Sequence, residues 1–542
     1  KWITVIGTGV LSVAIMQLPV SSEFFPQANR DQFAVKIILP QTATMQQTDA
    51  IAQQVEEVLR KLSPIAEGET KLGESDQRLR AMRTMVGGGG SRWHLGWDPE
   101  APSANYSEIL VRTTDGRYTA EYAEKLRQVC EQGDDKLGIK PIVGARIVPI
   151  QLALGPPADP LLLRVMGQGY ADEKVLRSTA LQLKHIVDEQ PETWNVHDSW
   201  GVNGYQVLVN VDKDRATLAG VTNSQVARTL NSYYSGLQLS TFREGDHQVP
   251  IYFRLQPQAR ESLRGLQESF VEGSQGKVPL SSLATFEFSW EPAKIQRRNM
   301  NRVIEVAARM APGVPGNDIV NRVLSLPEYK ELKESLPSGY WIEPGGSYAE
   351  SADAGAQMGA SFAASFVLIL LCLICQYNGW SKPLIILGTL PLALVGALLG
   401  LYLTGNSLGF MPQLGILALF GIVLNTAIIF VEFADILIVE KRKQADGTGR
   451  IAGLSVQQFR ECLVEAGKQR MLPIFLTTAT TVGGLIPLAL TGGPLWVGLA
   501  WCMIVGLLFT TVLTLFFVPA LYAVLVETFR VQPVRVEPDG EA

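Results

Sequence analysis

Apolar residues are not spread evenly along this chain. Residues 356–528 are mostly apolar, and between Leu384 and Val439 the only charged side chains are Glu432 and Asp435. A helix that crosses a bilayer needs about 20 such residues. On that template spans are predicted at 2–19, 356–376, 384–403, 412–438, 471–491 and 496–526. One span precedes a long polar region and five follow it. The first, an apolar run after Lys1, also fits the start of a signal peptide. Met16-Gln17-Leu18-Pro19-Val20 offers no small-x-small cleavage site, however, so a spanning helix is expected.

Residues 21–355 carry charges throughout and alternate between strand and helix periods. Strands are predicted at Gln32–Leu39, Ser107–Arg112 and Ala145–Pro149, with helices at Thr48–Lys61 and Ala120–Glu131. After Pro156-Pro157 the pattern repeats, with strand Leu161–Val165, helix Asp172–Val187 and strand Thr193–Asp198. Tyr205–Val211 and Ile251–Leu255 read as strands around a helix at Asn223–Leu230. Val303–Met310, a helix near Asn317–Lys333 and Tyr340–Glu343 complete the set. Repeated strand–helix–strand units point to small α+β subdomains rather than one large sheet.

The loops orient the spans. Between the fourth and fifth lie Lys441, Arg442, Lys443, Arg450, Arg460, Lys468 and Arg470, whereas 404–411 and 492–495 carry no Lys or Arg. By the positive-inside rule the 440–470 loop is cytoplasmic. Counting crossings back from it puts 21–355 outside the cytoplasm and both ends inside.

Composition narrows the function classes. The 542 residues are 47% hydrophobic and 18% charged with a net charge of −5, and no domain-sized basic face stands out, so nucleic acid is not an expected partner. A mean hydropathy of +0.14 averages the two populations. Five cysteines exclude a disulfide scaffold, and the single CxxC, Cys372 and Cys375, lies in an apolar run with no second pair. His94, His185, His197 and His247 show no metal-ligand spacing, and no nucleophile–base motif is present; neither an enzyme, a cofactor nor a resident metal is expected. Gly87–Gly90 lacks the Lys-Ser/Thr of a phosphate loop and reads as a flexible loop.

Polar groups where lipid should be are the strongest functional signal. Asn425 and Glu432 are seven apart on one helical face, near Thr426 and Asp435. Arg470 opens the next span, followed by Thr477, Thr478, Thr480 and Thr481. Together they form the kind of polar track a proton or ion pathway needs. The plainer readings are interhelical hydrogen bonds for Asn425 and Thr426, a wet cytoplasmic end for Glu432 and Asp435, an arginine snorkelling to the interface, and hydroxyls bonded to their own helix.

At this point the chain resembles the C-terminal half of a resistance–nodulation–division (RND) efflux permease. The resemblance rests on the one-plus-five layout and on several strings taken together. These are Glu23-Phe24-Phe25-Pro26 with Arg30, Val209–Thr222, Thr241–Gly245 with Pro250, Lys277–Ala284, Gly421–Phe433 and Arg470–Leu490. It implies a multi-pass membrane domain of six spans plus a large periplasmic α+β region of porter-type subdomains and a docking subdomain. The expected layout is a transmembrane helix at 1–20, a porter subdomain at 21–160, and a second at 161–200 that returns at 276–350. A docking subdomain at 201–275 interrupts it; five spans at 351–528 and a cytoplasmic tail at 529–542 complete the chain.

The resemblance further implies a proton-driven antiporter of the bacterial inner membrane, working as a homotrimer in the lipid bilayer. A periplasmic adaptor (membrane fusion) protein and an outer-membrane channel are its implied partners, and small hydrophobic or amphiphilic molecules its cargo. In the family's proton relay, Arg470 and Thr477 match the eleventh-helix positions, while the lysine of the tenth helix is Asn425 here. An amide can hydrogen-bond a carboxylate but cannot supply its countercharge. The relay's aspartate pair would lie in a preceding half, and the start at Lys1 fits a piece of a longer protein. Met85–Ser91 corresponds to the family's substrate loop, with Gly87, Gly88, Gly89 and Gly90 where aromatics would be; Trp93 and Trp97 follow as stacking surface or as ordinary packing. Two other functions compete. Met82 and Met85 suit the soft cation of a heavy-metal exporter, and a non-transporting scaffold with a periplasmic binding domain would need no polar track.

Overall fold

The computed structural model describes residues 2–23, 25–26, 30–63, 77–94, 97–151, 159–260, 263–273, 276–292, 294–311, 313–446 and 455–528. The tail expected at 529–542, the middle of the 440–470 loop and the Pro156-Pro157 junction lie outside them. Two compact units emerge: Lys1–Trp200 with Ile295–Ala542, and Gly201–Lys294.

The first unit contains two α/β lobes. In one, β1 (Gln32–Ile38), β2 (Leu79–Val86), β3 (Tyr106–Thr113) and β4 (Arg146–Gln151) form an antiparallel sheet in the order β2-β3-β1-β4. Alternation sends Phe33, Val35, Ile37, Ile109 and Val111 to one face, where α2 (Met45–Leu62) and α3 (Thr119–Gln132) cover them with Val55, Leu59 and Leu126. A capping box starts α2: the Thr44 side chain accepts from Gln47 N–H, and the Gln47 side chain accepts from Thr44 N–H. Lys36 and Glu108 sit directly opposite each other on the other face.

The second lobe is a five-stranded antiparallel sheet of β5 (Leu161–Gly167), β6 (Thr193–Asp198), β13 (Gln296–Arg298), β14 (Asn301–Met310) and β15 (Tyr340–Pro344). Its core packs beneath α4 (Glu173–Asp188), α10 (Gly316–Ser325) and α11 (Pro327–Glu334). The single helix expected near 317–333 is broken because Pro327 forces Leu326 into extended backbone. Buried Trp200 donates its indole N–H to Val303 O at 2.8 Å.

The second unit comprises β7 (Gly204–Val211), α5 (Lys213–Leu218), α6 (Asn223–Tyr234), β8 (Leu237–Glu244), β9 (His247–Phe253), α7 (Pro257–Arg260), α8 (Leu263–Gln267), β10 (Phe270–Gly273), β11 (Gly276–Pro279), α9 (Leu280–Leu283) and β12 (Ala284–Glu291). Its small core is Val221, Val226, Val271, Leu280 and Leu283. The unit runs past the boundary expected at 275, because β12 pairs along the whole of β7.

The apolar region forms α12 (Gly346–Tyr377), α13 (Ser381–Leu387), α14 (Leu390–Thr404), α15 (Phe410–Asp446), α16 (Val456–Thr491) and α17 (Gly493–Glu527). With α13 and α14 taken as one interrupted segment, five helices among the described residues are long and apolar enough to cross a membrane. Of the sixth expected span, α1 (Trp2–Met16) covers 15 residues and stops ahead of Pro19. Glycines draw α14 against α17. A Cβ on Gly396 would lie 3.1 Å from Gly506 Cα, and one on Gly400 would lie 2.9 Å from Trp501 O. Pro473 and Pro487 lie inside α16.

Candidate functional site

The two helices that carry the polar track run antiparallel. Phe430 reaches Gly467, the Cys462 thiol donates to Leu437 O at 3.9 Å, and the Arg470 guanidinium lies 4.1 Å from the Phe433 ring centroid. Those contacts place Thr477 at about the depth of Asn425 at 1.5 Å per residue. The helix that carries Arg470 begins earlier than the expected span, at Val456, so the residue lies well inside α16. Its Nε is buried without a hydrogen-bond partner while its ring contact covers one face. Asn425, Glu432 and Thr477 are exposed, and Asn425 and Glu432, seven apart, share one face of α15.

Most of the hydroxyls on this track are used locally. Thr477 donates to Ile474 O at 2.9 Å, Thr480 and Thr481 to Thr477 O at 2.9 and 2.8 Å, and Thr426 to Ile422 O at 3.1 Å. Only Thr478 crosses to a neighbour, Thr511, at 2.9 Å. The candidate site is therefore an exposed amide, carboxylate and hydroxyl beside a half-buried guanidinium; among the described residues no salt bridge or hydrogen bond joins Asn425 to a cation. The sequence reading of Asp435 as a wet residue does not hold. Its side chain is 13% exposed and meets Lys382 Nζ at 2.5 Å, while the Tyr522 hydroxyl donates to its other oxygen at 2.5 Å. Lys382 carried no signal of this in sequence: it lies 53 positions away, at the first turn of another helix.

The expected substrate loop lies against the back of the first sheet. Trp97 is buried and Trp93 half-buried, their ring centroids 5.5 Å apart, over Ala34, Val148 and Ile150. Buried Glu108 accepts from the Tyr106 hydroxyl at 3.1 Å; burial pushes its carboxyl above the ordinary range. Lys36 pairs with Glu100 at 3.1 Å and lies 5.1 Å from the Trp97 ring centroid. The four glycines are packed rather than free: a Cβ on Gly89 would run into the backbone of Glu100, and Gly90, at φ +69°, lies against the Met85 sulfur. Met82 and Met85 do not converge. Met82 packs into the helix-side core, whereas Met85 pairs with Glu108 on the other face. Among the described residues no group of three or more His, Cys, Asp or Glu could hold a metal, and Cys372 and Cys375 are exposed and unpaired.

Comparison with known proteins places these features in a wider set. A model of the AcrB/AcrD/AcrF family matches residues 161–526. The swarming motility protein SwrC of Bacillus subtilis is 27% identical over 370 residues, 67% of this chain and 33% of that protein. The toluene efflux pump membrane transporter TtgB of Pseudomonas putida is 28% identical over 328 residues, 60% of this chain and 29% of its own. The cobalt-zinc-cadmium resistance protein CzcA of Cupriavidus metallidurans is 26% identical over 360 residues, 65% of this chain and 32% of its own. The matched stretch thus spans about a third of each relative's length.

Proposed function

Because the chain belongs to the AcrB/AcrD/AcrF family of RND efflux transporters, we propose that it forms the C-terminal half of a proton-driven permease. It is a transporter and not an enzyme, and its apolar helices make it a multi-pass membrane protein of the inner membrane. In this reading α1 is the sixth span, and residues 21–355 lie in the periplasm as porter and docking subdomains. The complete protein is a homotrimer that passes small hydrophobic or amphiphilic molecules through an adaptor to an outer-membrane channel.

The observation that carries the reading is the set of polar side chains on α15 and α16. Asn425, Glu432 and Thr477 are exposed on long, mainly apolar helices, and Arg470 beside them is half-buried with an unpartnered Nε. Polar groups in that position are costly unless something polar meets them. Carboxylates from a preceding half would complete a relay with Arg470 and Thr477, with Asn425 as a hydrogen-bonding rather than a charged member.

The residues favour organic cargo over metal. Identity to TtgB and to CzcA is nearly equal, at 28% and 26%, and does not separate the two. Met82 and Met85 do: they lie on opposite faces of β2, so the two thioethers that would suit a soft cation do not converge. The test is transport by the full-length protein. Arg470→Ala or Thr477→Val should abolish efflux driven by a pH gradient while assembly stays intact. Full efflux in both variants would remove the relay.

A further inference from the structure

The relay reading leaves a gap in charge. Position 425 is an amide, so α15 carries two carboxylates, Glu432 and Asp435, and no cation at that depth. A different helix provides one ten residues further along α15, about 15 Å from Asn425. Lys382, at the start of α13, places Nζ 2.5 Å from Asp435 Oδ2, and its side chain is 20% exposed. From α17 the Tyr522 hydroxyl, itself almost wholly buried, donates to Asp435 Oδ1 at 2.5 Å. Both oxygens of Asp435 are thus engaged, one by a cation and one by a neutral donor.

A second resting place for the lysine lies close by. Its Nζ is 5.4 Å from the ring centroid of Tyr377, at the end of α12, and the Tyr377 hydroxyl is buried with no hydrogen-bond partner. That hydroxyl and ring can receive an ammonium that leaves Asp435. Glu432 lies one turn earlier on α15 and acts electrostatically on both Asp435 and Tyr377; Arg442 acts on Tyr522. From α16, Arg470 lies over Phe433 and Glu461 pairs with Lys441 of α15 at 3.5 Å, while Phe459 packs edge-on against Tyr522 at 5.6 Å. Asp435 thus ties α13, α15 and α17 together, and α12 adjoins the cluster where Tyr377 lies against Lys382.

We propose that Lys382, Asp435, Tyr522 and Tyr377 form a proton-binding site in which Asp435 exchanges its ion pair with Lys382 for a proton. The site supplies the intramembrane cation that Asn425 does not, and the inference rests on the proton-driven reading above. When Asp435 binds a proton, one O–H bond forms, the pair loses its attraction and Lys382 moves to the Tyr377 side. When Lys382 returns, the proton leaves to water and the ion pair re-forms. Each cycle changes which helix, α12 or α15, the start of α13 is fastened to, so proton occupancy is converted into helix position.

The test uses the full-length transporter in proteoliposomes, with an imposed pH gradient, Nile red as the transported probe and pyranine reporting proton flux. Lys382→Met and Asp435→Asn should each lower gradient-driven Nile red transport at least tenfold. Lys382→Arg should retain transport with a shifted pH profile. Each single neutral variant leaves one charge buried and can fail to assemble, so the double variant Lys382→Met/Asp435→Asn decides. It has no orphaned charge and should assemble normally, yet remain as inactive as the single variants. Wild-type transport in the double variant would show a structural staple and overturn the proposal, while a gradient dependence lost in Arg470→Ala would leave the proton-driven reading standing. No gradient dependence in the unaltered protein would overturn both.

Discussion

Two seams in the membrane region are built from the same kind of helix and behave as opposites. The segment of α13 and α14 is 61% buried over its most apolar stretch, and Gly396, Gly400 and Gly506 let it press against α17. In the corresponding stretch of α16 only 17% of the residues are buried, and Thr477 on this helix is exposed. Small residues spend no polar group and bring backbones together, so the first seam is fully explained by the helices that make it. The second spends polar groups without closing over them.

The largest effect should come from attacking the closed seam. Gly396→Leu or Gly506→Leu forces α14 and α17 apart and should destabilise the protein by about 2–3 kcal/mol, the typical cost of overpacking. Thermal unfolding in detergent reads the loss; an unchanged midpoint would remove the contrast between the seams.

Next in size, Asn425→Lys on the open face should change the proton-to-substrate ratio while leaving the unfolding midpoint where it was. A fall in stability comparable with the glycine variants would mean that this face is packed after all.

A smaller effect sharpens the comparison in the first lobe, where a carboxyl sits on a closed surface. Burial raises the pKa of Glu108, so the folded form holds the proton more tightly than the unfolded chain does. Its contribution to stability is present below the ordinary value of 4.5 and is lost as pH rises through the raised one. Glu108→Gln should therefore lose less stability than the parent protein as pH is raised from 4.5, followed by the tryptophan fluorescence of Trp93 and Trp97. An identical pH profile would show that the carboxyl is solvated.

The smallest expected change is Thr480→Val. The hydroxyl is exposed and bonded only to Thr477 O, so stability should move by less than about 0.5 kcal/mol.

How much of this was legible in sequence depended on the kind of signal. Helices with an apolar face, such as α2 and α4, and strands with one buried side, such as β1 and β3, declared themselves by period. The strand β2 did not, because Arg80 and Arg83 interrupt Leu-Arg-Ala-Met-Arg-Thr-Met-Val; it is an edge strand and tolerates them. The hairpin of β8 and β9 is exposed along nearly all of its length, so neither burial nor alternation marked β8. Of the candidate site, Asn425, Arg470 and Thr477 stood out because polarity inside an apolar run is conspicuous from one helix alone. The Lys382–Asp435 pair was invisible for the complementary reason: periodicity says which way a residue faces on its own helix, never which helix stands opposite.

The two prolines inside α16 have a mechanical consequence. Each removes a backbone hydrogen bond and so makes a notch in the helix. Pro473 and Pro487 are 14 residues apart, close to four turns at about 3.6 residues each, which puts both notches on the same side of the rod. A rod notched twice on one side bends most easily in one plane. Arg470 lies before the first notch and Thr477 after it, so flexing at Pro473 opens and closes the distance between them like the jaws of a caliper. Neither side chain needs to change its rotamer for the helix to register that movement.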